Sequence, residues 1–196
     1  MADGLQKLEA MLRVRDGNSS SVRPVERWEP DLCGEIDIEI RADGSWYYLG
    51  TPITRHAMVK LFASVLRKDE DGITYLVTPV EKLAIKVEDA HFLAVDMAVT
   101  EDAARQAITF QTSLGDLTTI GPDHSLRFET DTENGGVKPY VCVRGRLEAL
   151  VSRSLAQELL SLGSHEQVDG KSMFGISSCG VFFPVMESEK LKETVN

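Results

Sequence analysis

Arg55 and Arg153 carry the clearest chemical signal in the sequence. Each stands where a segment of helical spacing begins, in Thr54-Arg55 and Ser152-Arg153. Backbone N–H groups at a helix N-terminus favour anions, and a guanidinium adds a planar fork that fits phosphate or carboxylate. Arginine opposes the helix dipole at that end. Its use at both starts therefore points to an anionic ligand, or to an internal ion pair with Glu81 or Glu148. Trp46, Tyr48, Phe174 and Phe182 read as core packing, or as a stacking wall for a base. Glu81 and Arg144 complete the set of candidate ligand-binding residues.

Other reactive residue types form no catalytic pattern, and no catalytic residue is assigned. Gly175-Ile176-Ser177-Ser178-Cys179 approaches the G-x-S-x-G nucleophile elbow but lacks the last glycine. It also leads into the strand pattern Val181-Phe182-Phe183, where the elbow needs a helix. Cys179 would need a nearby cation or helix N-terminus to become a thiolate, and reads as an idle or buried thiol. Asp123-His124 follows Gly121-Pro122 in a turn. Glu81, Glu88, Asp89 and Asp96 read as solvated charge. His56, His91, His124 and His165 are dispersed, as are Cys33, Cys142 and Cys179. A structural zinc site needs clustered ligands, so no metal is expected. Phosphate-binding glycine patterns are missing too, and no cofactor is expected.

Charge narrows the partners. The chain has 196 residues, with 21 Lys and Arg against 31 Asp and Glu, a net charge of −10. Such a polyanion repels phosphate backbones, which argues against bulk nucleic acid. No segment approaches the roughly 20 apolar residues of a membrane helix. Residues 1–15 carry charges in place of a signal peptide's apolar stretch. Three scattered cysteines suit a reducing cytoplasm better than a disulfide framework.

The elements that must position these groups follow from periodicity. Leu5, Leu8, Met11 and Leu12 predict a short amphipathic helix over 4–14. Residues 22–30 form an extended connector. Ile36, Ile38 and Ile40 alternate with charged residues as a strand, which turns at Ala42-Asp43-Gly44 and returns over 45–49. A helix follows over 54–66, capped by Thr54 and ended by Arg67 and Lys68. Strands are predicted at 73–77, 83–87, 91–99, 107–112, 117–120 and 125–129, with a flexible polar tip at 130–136. Residues 140–151 form one long strand or a bent pair. A second helix runs to Leu162 and closes at Gly163. A loop over 165–171, a hairpin of 173–177 with 181–185, and a charged tail complete the chain.

The second half echoes the first. With Thr54-Arg55 set on Ser152-Arg153, Ala57, Met58, Leu61 and Phe62 fall opposite Leu155, Ala156, Leu159 and Leu160. Each helix follows strands and precedes a hairpin. The expected fold is α+β, with two related halves, each antiparallel strands packed with one helix. The expected divisions are 1–30 for helix and connector, 31–112 and 113–186 for the repeats, and 187–196 for the tail. Repeats bury their faces on neighbours, so the halves are expected to share an interface.

Four stretches also resemble the signatures of a bacterial family of unknown function, found mainly in proteobacteria. They are Trp46-Tyr47-Tyr48-Leu49-Gly50-Thr51-Pro52-Ile53-Thr54-Arg55, Leu76-Val77-Thr78-Pro79-Val80-Glu81-Lys82, Arg144-Gly145-Arg146-Leu147-Glu148-Ala149-Leu150, and Phe174-Gly175 with Gly180-Val181-Phe182-Phe183-Pro184. The resemblance spans about residues 26–186. It implies a duplicated core, a pleckstrin-homology-like C-terminal half, a nucleotide-like ligand between the halves and a role in signal transduction. It carries no catalytic residues. The leading expectation is therefore a non-catalytic ligand-binding or sensing protein, in which Arg55 and Arg153 meet the charge and Trp46 or Tyr48 packs the ring. The alternative is a protein–protein interaction module working through a pleckstrin-like surface or a strand edge. An uncharacterised hydrolase or transferase ranks third. No oligomeric state follows from the residues.

Overall fold

Strand formation begins where the isoleucines alternate. The computed structural model describes residues 23–102, 105–130 and 136–189. A 3-10 turn at Val25–Arg27 comes first. β1 (Leu32–Ile40) buries Ile38 and Ile40 completely and leaves Asp37 exposed. β2 (Trp46–Tyr48) returns antiparallel to it across Gly44, and β3 (Thr51–Pro52) pairs with β2. α1 (His56–Ala63) buries Met58, Val59, Phe62 and Ala63, one stripe of a helical surface. β4 (Leu66–Lys68), β5 (Thr74–Val77) and β6 (Lys82–Val87) complete the first sheet. Its order is β3-β2-β1-β6-β5-β4, with β1 and β6 parallel at the centre.

The same plan is used again. β7 (Phe92–Asp102), β8 (Arg105–Thr112) and β9 (Leu117–Thr119) form one meander. β10 (Leu126–Thr130), β11 (Val137–Arg144) and β12 (Leu147–Val151) form the next. Their order is β9-β8-β7-β12-β11-β10, again joined by a parallel pair, β7 with β12. α2 (Arg153–Ser161) follows, with Leu155, Ala156 and Leu159 buried. β13 (Ser164–Val168), β14 (Lys171–Ser178) and β15 (Val181–Glu187) make a separate antiparallel sheet. The fold is α+β, in two similar halves, each a mostly antiparallel sheet with one helix.

Several details depart from expectation. Compact packing divides the chain into Met1–Asp89 with Gly145–Leu147, and Ala90–Arg144 with Glu148–Asn196. The division thus falls at 89/90 and not at 112/113, because β1 closes the first sheet on β6 while β7 to β9 belong to the second. The first helix is shorter than 54–66. Leu66 and Arg67 are buried and pair with Leu76 and Tyr75, so tertiary burial draws them into β4. Its N-cap is Arg55, not Thr54. Residues 164–168 form an edge strand that is largely exposed, which hides it from any apolar pattern. The helix predicted over 4–14 and residues 131–135 and 190–196 lie outside the described residues.

The two helices also match in a different register. Their buried faces coincide when Arg55 is set on Ser152, which pairs Met58 with Leu155, Val59 with Ala156, and Phe62 with Leu159. Arg55 is an N-cap, whereas Arg153 is the first helical residue. The two arginines are not equivalent. None of the described helices is long and apolar enough to cross a membrane.

Candidate functional site

Among the described residues of the first unit the deepest charged group is Arg67 on β4, whose side chain is 8% exposed. Its Nε and Nη2 donate to the Asp69 carboxylate at 2.6 and 3.2 Å. Its Nη1 donates to the carbonyls of Val25 and Trp28 at 2.9 and 2.6 Å. The arginine therefore fastens the 3-10 turn to the sheet edge. Lys82 Nζ reaches Asp69 Oδ2 at 2.5 Å and lies 4.0 Å from the Tyr75 ring centroid. Burial works against the Asp69 charge, but hydrogen bonds from Arg67 and Lys82 outweigh it and hold the carboxyl below its ordinary value. The Tyr75 hydroxyl donates to Asp71 Oδ2 at 2.7 Å. That bond, assisted by burial, pushes the phenol up to about 12.

The predicted residues of this unit are differently placed. Trp46 is 3% exposed and stacks on Phe62 at a centroid distance of 6.5 Å, so it is core and not a wall for a base. Tyr48 is half-buried in β2, opposite Ile38. Arg55 is exposed at the start of α1. Glu81 closes the β5–β6 turn, donating its N–H to Thr78 Oγ1 at 2.9 Å.

The second unit commits its charges in the same manner. Arg144 Nη1 meets Asp116 Oδ1 at 3.3 Å, and the guanidinium lies 5.0 Å from the Phe92 ring centroid. Arg153 is exposed. Arg127 holds both oxygens of Glu148, at 2.6 and 2.7 Å, and also pairs with Glu129. Glu148 is therefore not the partner of a helix-start arginine. Its backbone N–H donates to Nδ1 of buried His91 at 3.1 Å, which requires that nitrogen to be unprotonated. Burial, and then the Glu148 charge, raise the Cys142 thiol above its ordinary value, which disfavours the thiolate.

Ser178, from the near-elbow sequence, is buried at the end of β14. Its Oγ accepts from Ile108 N at 3.0 Å and donates to the Ile120 carbonyl at 2.8 Å. Ser177 donates to Glu166. His124 Nδ1 donates to the Cys142 carbonyl at 3.0 Å, since a carbonyl can only accept. It is not oriented by Asp123.

One feature went unread in the sequence. β12 pairs only with Phe92, Leu93 and Ala94 of β7. Past the irregularity at Val95, β7 continues against β8 alone, from Asp96 opposite Gln111 to Asp102 opposite Arg105. The far side of β8 is covered: the Gln106 carbonyl accepts from Cys179 N and Ile108 N donates to Ser178 Oγ. Antiparallel partners alternate in the direction of their backbone groups. Val99 and Glu101, opposite Ile108 and Gln106, therefore aim theirs at the outer edge of β7. Among the described residues no strand pairs with that edge over 96–102. Alternation predicted the strand but could not tell which strand would lack a neighbour.

Comparison with known proteins fits this architecture. The N-terminal domain of the DUF1285 family, a domain of unknown function, matches residues 23–90, and its C-terminal domain matches 91–185. The chain belongs to the DUF1285 family. A crystal structure of a DUF1285 family protein from Silicibacter pomeroyi shares 44% identity with it and superposes with a TM-score of 0.84. That similarity covers 98% of this chain and 100% of the other. A DUF1285 protein from Shewanella baltica is 28% identical over 64% of this chain and 91% of that one, with a TM-score of 0.50. Both relatives are proteobacterial, as the sequence signatures imply. No curated protein matches the chain.

Proposed function

We propose that this DUF1285 chain is a non-catalytic recognition module that binds a protein partner by strand addition. The observation that carries this is the outer edge of β7 over 96–102, which no strand among the described residues covers and which offers the backbone groups of Val99 and Glu101 for pairing. An added strand satisfies such groups and gains affinity from main-chain hydrogen bonds. The second unit, pleckstrin-homology-like in this reading, then acts in the cytoplasm as a sensor whose output is the partner it holds.

A small nucleotide-like anion has less support. Trp46 stacks in the core and Arg144 is committed to Asp116 and Phe92. Arg55 and Arg153 occupy different helix positions, which removes the coincidence that paired them.

The test places a photoreactive side chain at Ala98 on the edge, and separately at exposed Glu158 on α2. Cross-linking to one defined protein in the native cell at Ala98 and not at Glu158 supports the reading. Absent or equal labelling overturns it. A thermal-shift screen runs beside it, in which a ligand at 100 times its Kd adds about 2.7 kcal/mol. A shift with nucleotides that Arg55→Ala or Arg153→Ala abolishes would favour the small anion instead.

A further inference from the structure

We infer that the outer edge of β7 takes an extended segment whose apolar residues alternate and whose two ends carry lysine or arginine. This rests on strand addition as the function and names the chemistry of the partner. Met97 and Val99 share a face with their cross-strand partners Phe110 and Ile108, which are 1% and 0% exposed. Val99 itself is 40% exposed, lying beyond Ala94, where the pairing of β7 with β12 ends. A strand laid beside it with apolar residues on that face would extend the buried surface, and cross-strand apolar pairs stabilise such contacts.

Charge selects the ends of the segment. Asp96 and Glu101 are both exposed and bracket the apolar stretch of the edge. Asp96 Oδ1 also accepts from Met97 N at 2.9 Å, so one outward N–H is already occupied by a carboxylate. A cation beside Asp96 would draw that carboxylate away and free the N–H for pairing. Charges of this kind at a sheet edge discourage indiscriminate pairing.

A second copy of the chain is a poorer occupant. In the antiparallel register that sets Met97 against Val99 of the other copy, Asp96 lies opposite Thr100, one residue from Glu101. Asp96 of one copy then lies one position from Glu101 of the other at each end, between chains that each carry −10. Like charges brought this close, on chains of the same net sign, oppose the pairing.

The experiment measures fluorescence anisotropy of labelled peptides with the full chain. The first probe is acetyl-Lys-Thr-Val-Thr-Val-Lys-amide, which sets its valines against Val99 and Met97 and its lysines against Glu101 and Asp96 when it pairs antiparallel; the others replace both lysines with glutamate or with serine. The basic peptide should bind, more weakly as salt rises, and the other two should not. Asp96→Asn with Glu101→Gln leaves the backbone intact and should weaken binding about tenfold. Val99→Pro should abolish it, since the lost N–H faces outward and the ladder to β8 is kept. Equal binding of all three peptides would overturn the charge assignment and leave strand addition standing. So would silence from all three while Ala98 still cross-links. Self-association of the wild-type chain in sedimentation, relieved by Val99→Pro, would make a second copy the occupant and also overturn the inference.

Discussion

Arg67 grips both carboxylate oxygens of Asp69, and its remaining nitrogen holds the carbonyls of Val25 and Trp28. One side chain thereby joins a strand, a turn and a 3-10 segment. Arg67→Met would leave two carbonyls and a carboxylate without their donor. Breaking a buried pair by removing one partner costs about 3–5 kcal/mol, and urea unfolding should show a loss of that size. Arg67→Lys should recover little, because an ammonium cannot reproduce the planar fork.

Asp69 also sets an acid limit. Its carboxyl is held below the ordinary value despite burial, because Arg67 and Lys82 donate to it. A depressed folded-state pKa contributes stability that is present above the unfolded value of about 3.9 and is lost as pH falls through the folded one. Wild-type stability should therefore decline in acid more steeply than that of Asp69→Asn, in unfolding measured from neutral pH downward. Parallel curves would remove Asp69 from the acid response.

Tyr75 sets an alkaline limit of opposite sign. Its phenol is raised to about 12 by the hydrogen bond to Asp71, with burial second. A raised folded-state pKa contributes stability present below the unfolded value of about 10 and lost as pH climbs through the folded one. In tyrosinate absorbance titrations a phenol titrating at about 12 should be missing from Tyr75→Phe and should move down toward about 10 in Asp71→Asn. An unchanged titration in Asp71→Asn would reject the pairing as its cause.

Gly175 has no room for a methyl group. A Cβ there would lie 2.4 Å from Phe182 Cζ and 2.5 Å from the Phe183 carbonyl oxygen. Gly175→Ala should cost about 1–3 kcal/mol, as overpacking does. Phe182→Leu should rescue it only in part, since the backbone contact remains. At Gly163 the worst clash is with the Phe174 ring, 2.2 Å from the added carbon, so Phe174→Leu should rescue Gly163→Ala more fully. Double-mutant cycles measure both couplings.

Leu49 is strained in the opposite sense. It and Gly50 form a two-residue turn with φ values of 49° and 71°. Positive φ at both positions suits Asn-Gly better than Leu-Gly. Leu49→Asn should raise stability by about 1 kcal/mol, read as a higher urea midpoint with an unchanged slope.

Much of the fold was legible because local periodicity reports local structure. Ile36, Ile38 and Ile40 alternate, and β1 formed there. The hairpins of β5 with β6 and β14 with β15 arose close to their predicted ranges. Arg67 misled for a physical reason. A cation after an apolar stripe reads as a helix end, yet burial against β5 and the 3-10 turn drew it into a strand. The candidate site was less legible. An indole such as Trp46 serves a core or a ligand wall equally well until its neighbour is known, and the neighbour is Phe62.

By itself, then, the sequence determined most of the segments that become strands and helices, though not β4 or β13, together with the apolar faces of the periodic ones, the acidic charge and the family. Those properties depend on neighbours a few residues apart along the chain. Only the tertiary structure decided that β1 lies parallel to β6 and β7 to β12, where the chain divides, which arginines are consumed by internal carboxylates, and which strand has an edge unpaired among the described residues. Each of these depends on which distant segments meet. That outcome comes from closing loops and burying whole faces together, which no short-range spacing encodes.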